Sequence, residues 1–95
     1  MTPSETSQAT LTVPADVLFQ RLGDEAVALN LASGKYYGFD DVATRMWTLL
    51  VAHGAAAPAL DALLAEYEVE RSQLERDLNA FIERLVRDGL LVAQS

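Results

Sequence analysis

The stretch Leu29-Asn30-Leu31-Ala32-Ser33-Gly34-Lys35-Tyr36-Tyr37-Gly38-Phe39-Asp40 reads as a strand, a tight turn, a second strand and the start of a helix. A two-residue Ser33-Gly34 turn pairs Leu31 with Tyr36 and Asn30 with Tyr37. Leu31 and Tyr36 then share the core face, and Lys35 and Tyr37 point the other way. Gly38 interrupts good strand propensity, and a strand glycine often marks a bulge or a close backbone approach. If Lys35 to Phe39 ends a small sheet, its open edge is a template for an extended peptide from another chain.

Upstream, Val17 to Leu22 forms a strand, Gly23-Asp24 a turn, and Glu25 to Ala32 a strand of period two. Val27, Leu29 and Leu31 lie on one face of it, and Ala26, Ala28 and Asn30 on the other. A two-residue loop sets Leu18 and Gln20 beside Leu29 and Val27. A three-residue loop sets Val17 and Phe19 there instead, and it is favoured because it buries more apolar surface.

Downstream, Asp40 or Asp41 caps a helix that runs to about His53 and stops at Gly54. Its apolar side carries Val42, Met46, Trp47, Leu49 and Leu50. Pro58 suits the first turn of a second helix ending near Tyr67, with Leu60, Leu63 and Leu64 apolar. A third begins at the capping box Ser72-Gln73-Leu74-Glu75 or earlier, near Glu70, and ends at Gly89. Its stripe is Leu74, Leu78, Phe81 and Leu85, widened by Ile82 and Val86. Leu90 to Ala93 packs back. Three strands followed by three helices make an α+β domain. It spans residues 13–95, behind a polar tail, residues 1–12, expected to be disordered.

The 95 residues suffice for one domain, and 51% of them are hydrophobic. The net charge of −7 argues against recognition of nucleic acid through phosphate neutralisation. Four arginines against five acids on the third helix, Glu70 to Asp88, weigh equally against a winged-helix DNA-binding regulator. With no cysteine, disulfides and thiolate metal sites are excluded. No apolar run approaches the ~20 residues of a membrane span. The polar N-terminus lacks the order of a signal peptide, so the expectation is a cytoplasmic protein without membrane association. The single histidine, His53, precedes Gly54 and reads as a helix-terminal residue. Asp40-Asp41 read as caps, not metal ligands. No catalytic constellation, metal site or cofactor site is expected.

Taken together, Leu29-Asn30-Leu31, Ser33-Gly34, Tyr36-Tyr37-Gly38-Phe39, Ala43 and Met46-Trp47 resemble the PqqD-like family. So do Tyr67-Glu68-Val69, Leu74-Glu75-Arg76-Asp77-Leu78, Phe81-Ile82, Leu85 and Gly89-Leu90-Leu91. These proteins are the precursor-peptide recognition elements of ribosomal peptide biosynthesis. The resemblance covers about Val13 to Val92 and is carried by the order and spacing of motifs that are individually short. It departs at Glu70, where Asp is frequent, and at Asp40, where Asn is common; both keep a capping role.

The resemblance implies a winged helix-turn-helix-like fold that binds the leader of a precursor peptide without catalysing a reaction. The leader adds as a strand beside the third strand and rests on the third helix. The residues implied are Lys35, Tyr36, Tyr37, Gly38 and Phe39 on the strand, with Asp77, Leu78, Phe81, Ile82, Arg84 and Leu85 on the helix. Asp88 adds to the rim. The Tyr36-Tyr37 hairpin and the length look most like the stand-alone proteins of lasso-peptide pathways, whose partners are a leader peptidase and an ATP-dependent cyclase. The alternative is a PqqD-type chaperone for a radical-SAM enzyme of pyrroloquinoline quinone synthesis or another peptide maturation.

Overall fold

The computed structural model describes residues 9–94. In chain order its elements are β1 (Thr10–Thr12), β2 (Val17–Leu22), β3 (Glu25–Asn30), β4 (Lys35–Phe39), α1 (Asp41–His53), α2 (Ala56–Glu66), α3 (Arg71–Arg87) and β5 (Val92–Gln94). β2, β3 and β4 form an antiparallel sheet in that order, and three helices follow it. The α+β expectation holds.

Residues 1–8 of the expected tail lie outside the described residues, but its last part is not a tail. Thr10–Thr12 pairs antiparallel with Val92–Gln94, Leu11 opposite Ala93. Leu11 is buried, and its N–H donates to Gly54 O at 2.8 Å. Burial of Leu11 in the same core as Leu90 and Leu91, together with the pairing to Val92–Gln94, holds the segment in place.

The first hairpin takes the two-residue loop: Leu18 pairs with Leu29, Gln20 with Val27 and Leu22 with Glu25. The favoured three-residue loop is incorrect, because the buried face of β3 is its small one. Ala26 and Ala28 are buried while Val27 and Leu29 are only partly covered. Val17 and Phe19 therefore lie over Asn30 and Ala28. Alanines on the inner face leave room for Phe19, Phe39 and Trp47 to pack. Phe19 stacks on Trp47 with centroids 5.3 Å apart, and Phe39 meets Trp47 at 5.6 Å.

The second hairpin also differs from expectation. Asn30 pairs with Lys35, so the loop has four residues, Leu31 to Gly34. Asn30 builds it: its Oδ1 accepts from Ala32 N at 2.9 Å and Ser33 N at 3.2 Å. Side-chain acceptance of this kind substitutes for a backbone turn bond. The two-residue shift in register keeps Tyr36 on the Val27–Leu29 face, opposite Leu29, and because the helices cover the other face of the sheet it is 75% exposed. Leu31 is likewise exposed, so the expected Leu31–Tyr36 core pair does not form. Tyr37 instead lies half-buried on the inner face.

Asp40 caps α1, its Oδ1 accepting from Ala43 N at 2.8 Å, and Gly54 ends it at φ 69°. Val42, expected in the apolar stripe, is exposed, and Thr44 takes the buried position. α3 begins at Arg71 with Glu70 as N-cap, ahead of the capping box at Ser72. Ser72 Oγ instead donates to the Glu70 carboxylate. Leu74, Leu78, Phe81, Ile82 and Leu85 bury its apolar face, while Val86 stays exposed. An Arg45–Glu66 pair, Nε to Oε1 at 2.8 Å, links α1 to the end of α2.

Candidate functional site

The sheet order leaves two edges, β2 and β4. An edge strand carries unpaired N–H and C=O groups at alternate positions. What sets β4 apart is the ground beside it. One hollow lies between Tyr36–Phe39 of β4 and the last turns of α3, at Arg84, Leu85 and Asp88. A second lies between the first turns of α1, at Val42, Ala43 and Met46, and the middle of α3, at Asp77, Phe81 and Arg84. The two meet at Asp40, Ala43 and Arg84, making one groove along α3.

The groove exists because of local sequence choices. β4 runs through Asp40 directly into α1, so the helix starts at the mouth of the groove. Ala43 is small and leaves space between α1 and α3. Phe39 and Phe81 meet edge to face, centroids 5.8 Å apart at 71°, and join the strand to the helix beneath the groove. The apolar floor and charged rim suit an extended peptide, with backbone bonding along β4 and side-chain contacts in the hollows.

Of the eleven residues expected at the site, Lys35, Tyr36, Tyr37, Gly38 and Phe39 all lie on the edge strand. Phe39 is buried in the aromatic cluster and contributes chiefly to the floor. Gly38 pairs regularly with Val27, so there is no bulge, and a Cβ on it would meet open space. Asp77 and Arg84 are exposed along the groove, and Phe81 and Leu85 show it only an edge. Leu78 and Ile82, each 1% exposed, belong to the core, and neither borders the two hollows. The contribution of α1, through Asp40, Ala43 and Met46, was not anticipated. Its only sequence signal was the spacing of three residues between these positions, which brings them to one side of a helix start.

A model of the family described as coenzyme PQQ synthesis protein D (PqqD) matches residues 25–91. The chain belongs to the PqqD family. The matched span runs from β3 through α3 to Leu91 and so includes every residue that borders the groove. A search of curated proteins finds no significant match. Two solved structures are similar to this PqqD-family chain. One is TbiB1 in complex with the TbiA(beta) leader peptide, 37% identical, with a TM-score of 0.78, covering 84% of this chain and 93% of that one. The other is lasso peptide synthetase B1 complexed with the leader peptide, 27% identical, with a TM-score of 0.80, covering 88% and 99%.

Proposed function

We propose that this chain binds the leader segment of a ribosomally made precursor peptide. The leader adds as a strand to β4 and rests in the groove between α1 and α3. The protein then delivers the attached core peptide to the leader peptidase and ATP-dependent cyclase of a lasso-peptide-type pathway. The observation that carries the reading is the coincidence of an open β4 edge with an apolar-floored groove, in a chain similar over most of its length to two leader-peptide complexes.

Backbone bonding along β4 orients a peptide with little regard to its sequence, so the hollows supply selectivity. An apolar side chain filling one contributes about 1.5–3 kcal/mol. Ordering a flexible leader costs about 2–5 kcal/mol, so micromolar binding, about −8 kcal/mol, needs several such anchors acting together with the backbone bonds of the strand. Such a protein acts by raising the local concentration of the core peptide at its enzymes, with no chemistry of its own. The family description supports a second reading, service to an enzyme of quinone cofactor synthesis. The similarity over most of the chain to two leader-peptide complexes, one of them of a lasso peptide synthetase, favours the first.

The test is a titration of a fluorescently labelled leader of its cognate precursor peptide against a scrambled control. Saturation in the micromolar range or below, lost on scrambling, is expected. Equal affinity for both peptides, or none for either, overturns the reading.

A further inference from the structure

Strand addition alone does not set register: a peptide shifted by two residues makes the same backbone bonds. A protein that must deliver a fixed point of a precursor to an enzyme needs a device that reads position along the strand. We infer that the groove-facing stripe of α3, Asp77, Phe81, Arg84 and Asp88, is that device, and that it selects a peptide with the complementary order base, apolar, acid, base. The inference rests on the peptide-binding reading above and specifies the ligand of that site.

At 3.6 residues per turn these four positions fall within about 60° of one another around the helix, so they form one line. All four border the groove: Asp77 and Phe81 the hollow beside α1, Asp88 the hollow beside β4, and Arg84 both. Arg84 is exposed, and its guanidinium makes no hydrogen bond or ion pair among the described residues. The other charges of the line are only lightly engaged. Asp77 accepts from the neutral Gln73 Nε2 at 2.9 Å, and Asp88 sits 4.0 Å from Arg87 Nε. A free cation at the junction of the hollows, with a carboxylate on each side, is a patterned field and not a uniform acidic rim.

The spacing converts into a sequence. Arg84 stands about 10 Å from Asp77 and about 6 Å from Asp88 along the helix axis, at 1.5 Å per residue. Residues on one face of an extended peptide recur about every 6.6 Å. An acid opposite Arg84 therefore places a base two residues away opposite Asp88. On the other side it places an apolar residue two away, over Phe81 and Ala80, and a base four away, whose flexible side chain spans the remaining distance to Asp77. The expected motif is Lys/Arg-x-apolar-x-Asp/Glu-x-Lys/Arg, read in one chain direction or the other.

The experiment is selection of a random twelve-residue display library on the wild-type protein, Arg84→Gln and Arg84→Glu. Circular dichroism checks the fold of each variant, which an exposed side chain should leave unchanged. Wild type is expected to enrich the spaced motif, Arg84→Gln to lose the acid preference, and Arg84→Glu to replace the acid by a base. The best wild-type peptide should bind Arg84→Glu at least tenfold more weakly and recover when its acid is changed to Lys. Enrichment of apolar peptides with no charge at fixed offsets, or with charges that ignore the variants, overturns the inference and leaves strand addition standing. Failure of all three proteins to enrich any peptide overturns both.

Discussion

Asn30 and Gly89 hold the β3–β4 hairpin to the end of α3: Asn30 Nδ2 donates to Gly89 O at 3.1 Å, while its Oδ1 shapes the hairpin loop. The groove is bounded by β4 on one side and α3 on the other, so this buried amide ties its two walls together. Gly89 is suited to the task twice over. Its φ of +77° favours glycine, and a Cβ there would come within 2.8 Å of Asn30 Nδ2. Gly89→Ala is expected to cost about 1–2 kcal/mol from backbone conformation alone, with the displacement of Asn30 added. Asn30→Ala removes all three of these hydrogen bonds and should cost about 1–3 kcal/mol. Urea denaturation measures both. Wild-type stability in either variant would show that the contact contributes nothing.

The inner face of β3 should refuse larger side chains where the outer face accepts changes. Ala28 is 0% exposed against Phe19 and Tyr37, whereas Leu18 on the opposite face is 54% exposed. Ala28→Leu is expected to lose about 1–3 kcal/mol through overpacking, and Leu18→Ala to stay within about 0.5 kcal/mol of wild type. Thermal melts of the pair decide it, since the opposite ranking would mean that the sheet presents its other face to the helices.

That inversion marks where the sequence ceases to be legible. Helix boundaries were readable because Asp40, Gly54 and Gly89 act locally: a carboxylate caps free N–H groups, and a glycine accepts positive φ. The facing of the sheet was not, because β3 alternates two apolar sets, and the larger one, Val27 and Leu29, is not the one the helices cover. Selecting the alanines depends on how closely Trp47 and Phe19 approach, which no short window contains. The Ser33-Gly34 pair resembles a two-residue turn, but the side chain of Asn30 stabilises a longer one. β1 was missed because three residues carry little periodicity and their partner lies at the far end of the chain. At the candidate site, the β4 strand was readable from its pattern, whereas Asp77 and Arg84 came through the family resemblance, together with Leu78 and Ile82, which the core buries. The share of α1 depended on how the helix enters from β4.

Gly38→Ala should fold at least as well as wild type. The glycine has no positive φ and sits in a regular strand pair with open space at its Cβ. Reducing the freedom of the unfolded chain then stabilises by about 0.4–1 kcal/mol. A fall in melting temperature would reveal a constraint on β4 that the isolated chain does not display.

Acid should selectively erase the contribution of Glu66. Hydrogen bonding to the Arg45 guanidinium holds its carboxyl below the usual carboxylate range. A depressed folded-state pKa gives stability that is present above the unfolded value and lost as pH falls through the folded one. Glu66→Gln is therefore expected to be slightly less stable than wild type at pH 7, with the gap closing as the pH drops through that range. High salt should narrow it at neutral pH, since the pair is exposed. A gap independent of pH, followed by chemical denaturation from pH 7 to pH 3, would assign the effect to packing instead of charge.

Strand addition at β4 makes a demand on the peptide that pocket binding alone does not. In an antiparallel or parallel ladder, only alternate residues of the added strand direct their N–H groups at β4; the others point to solvent. Methylating one backbone nitrogen at a time along a bound leader removes a donor without altering the protein. Binding is expected to weaken with a period of two across the segment opposite Lys35–Phe39, by about fivefold to tenfold at each sensitive site for a net bond near 1 kcal/mol, and more where the methyl group clashes. Insensitive positions between them should bind as the parent peptide does. A scan with no alternation, in a peptide that still depends on its apolar residues, would mean that the leader occupies the α1–α3 hollows without joining the sheet.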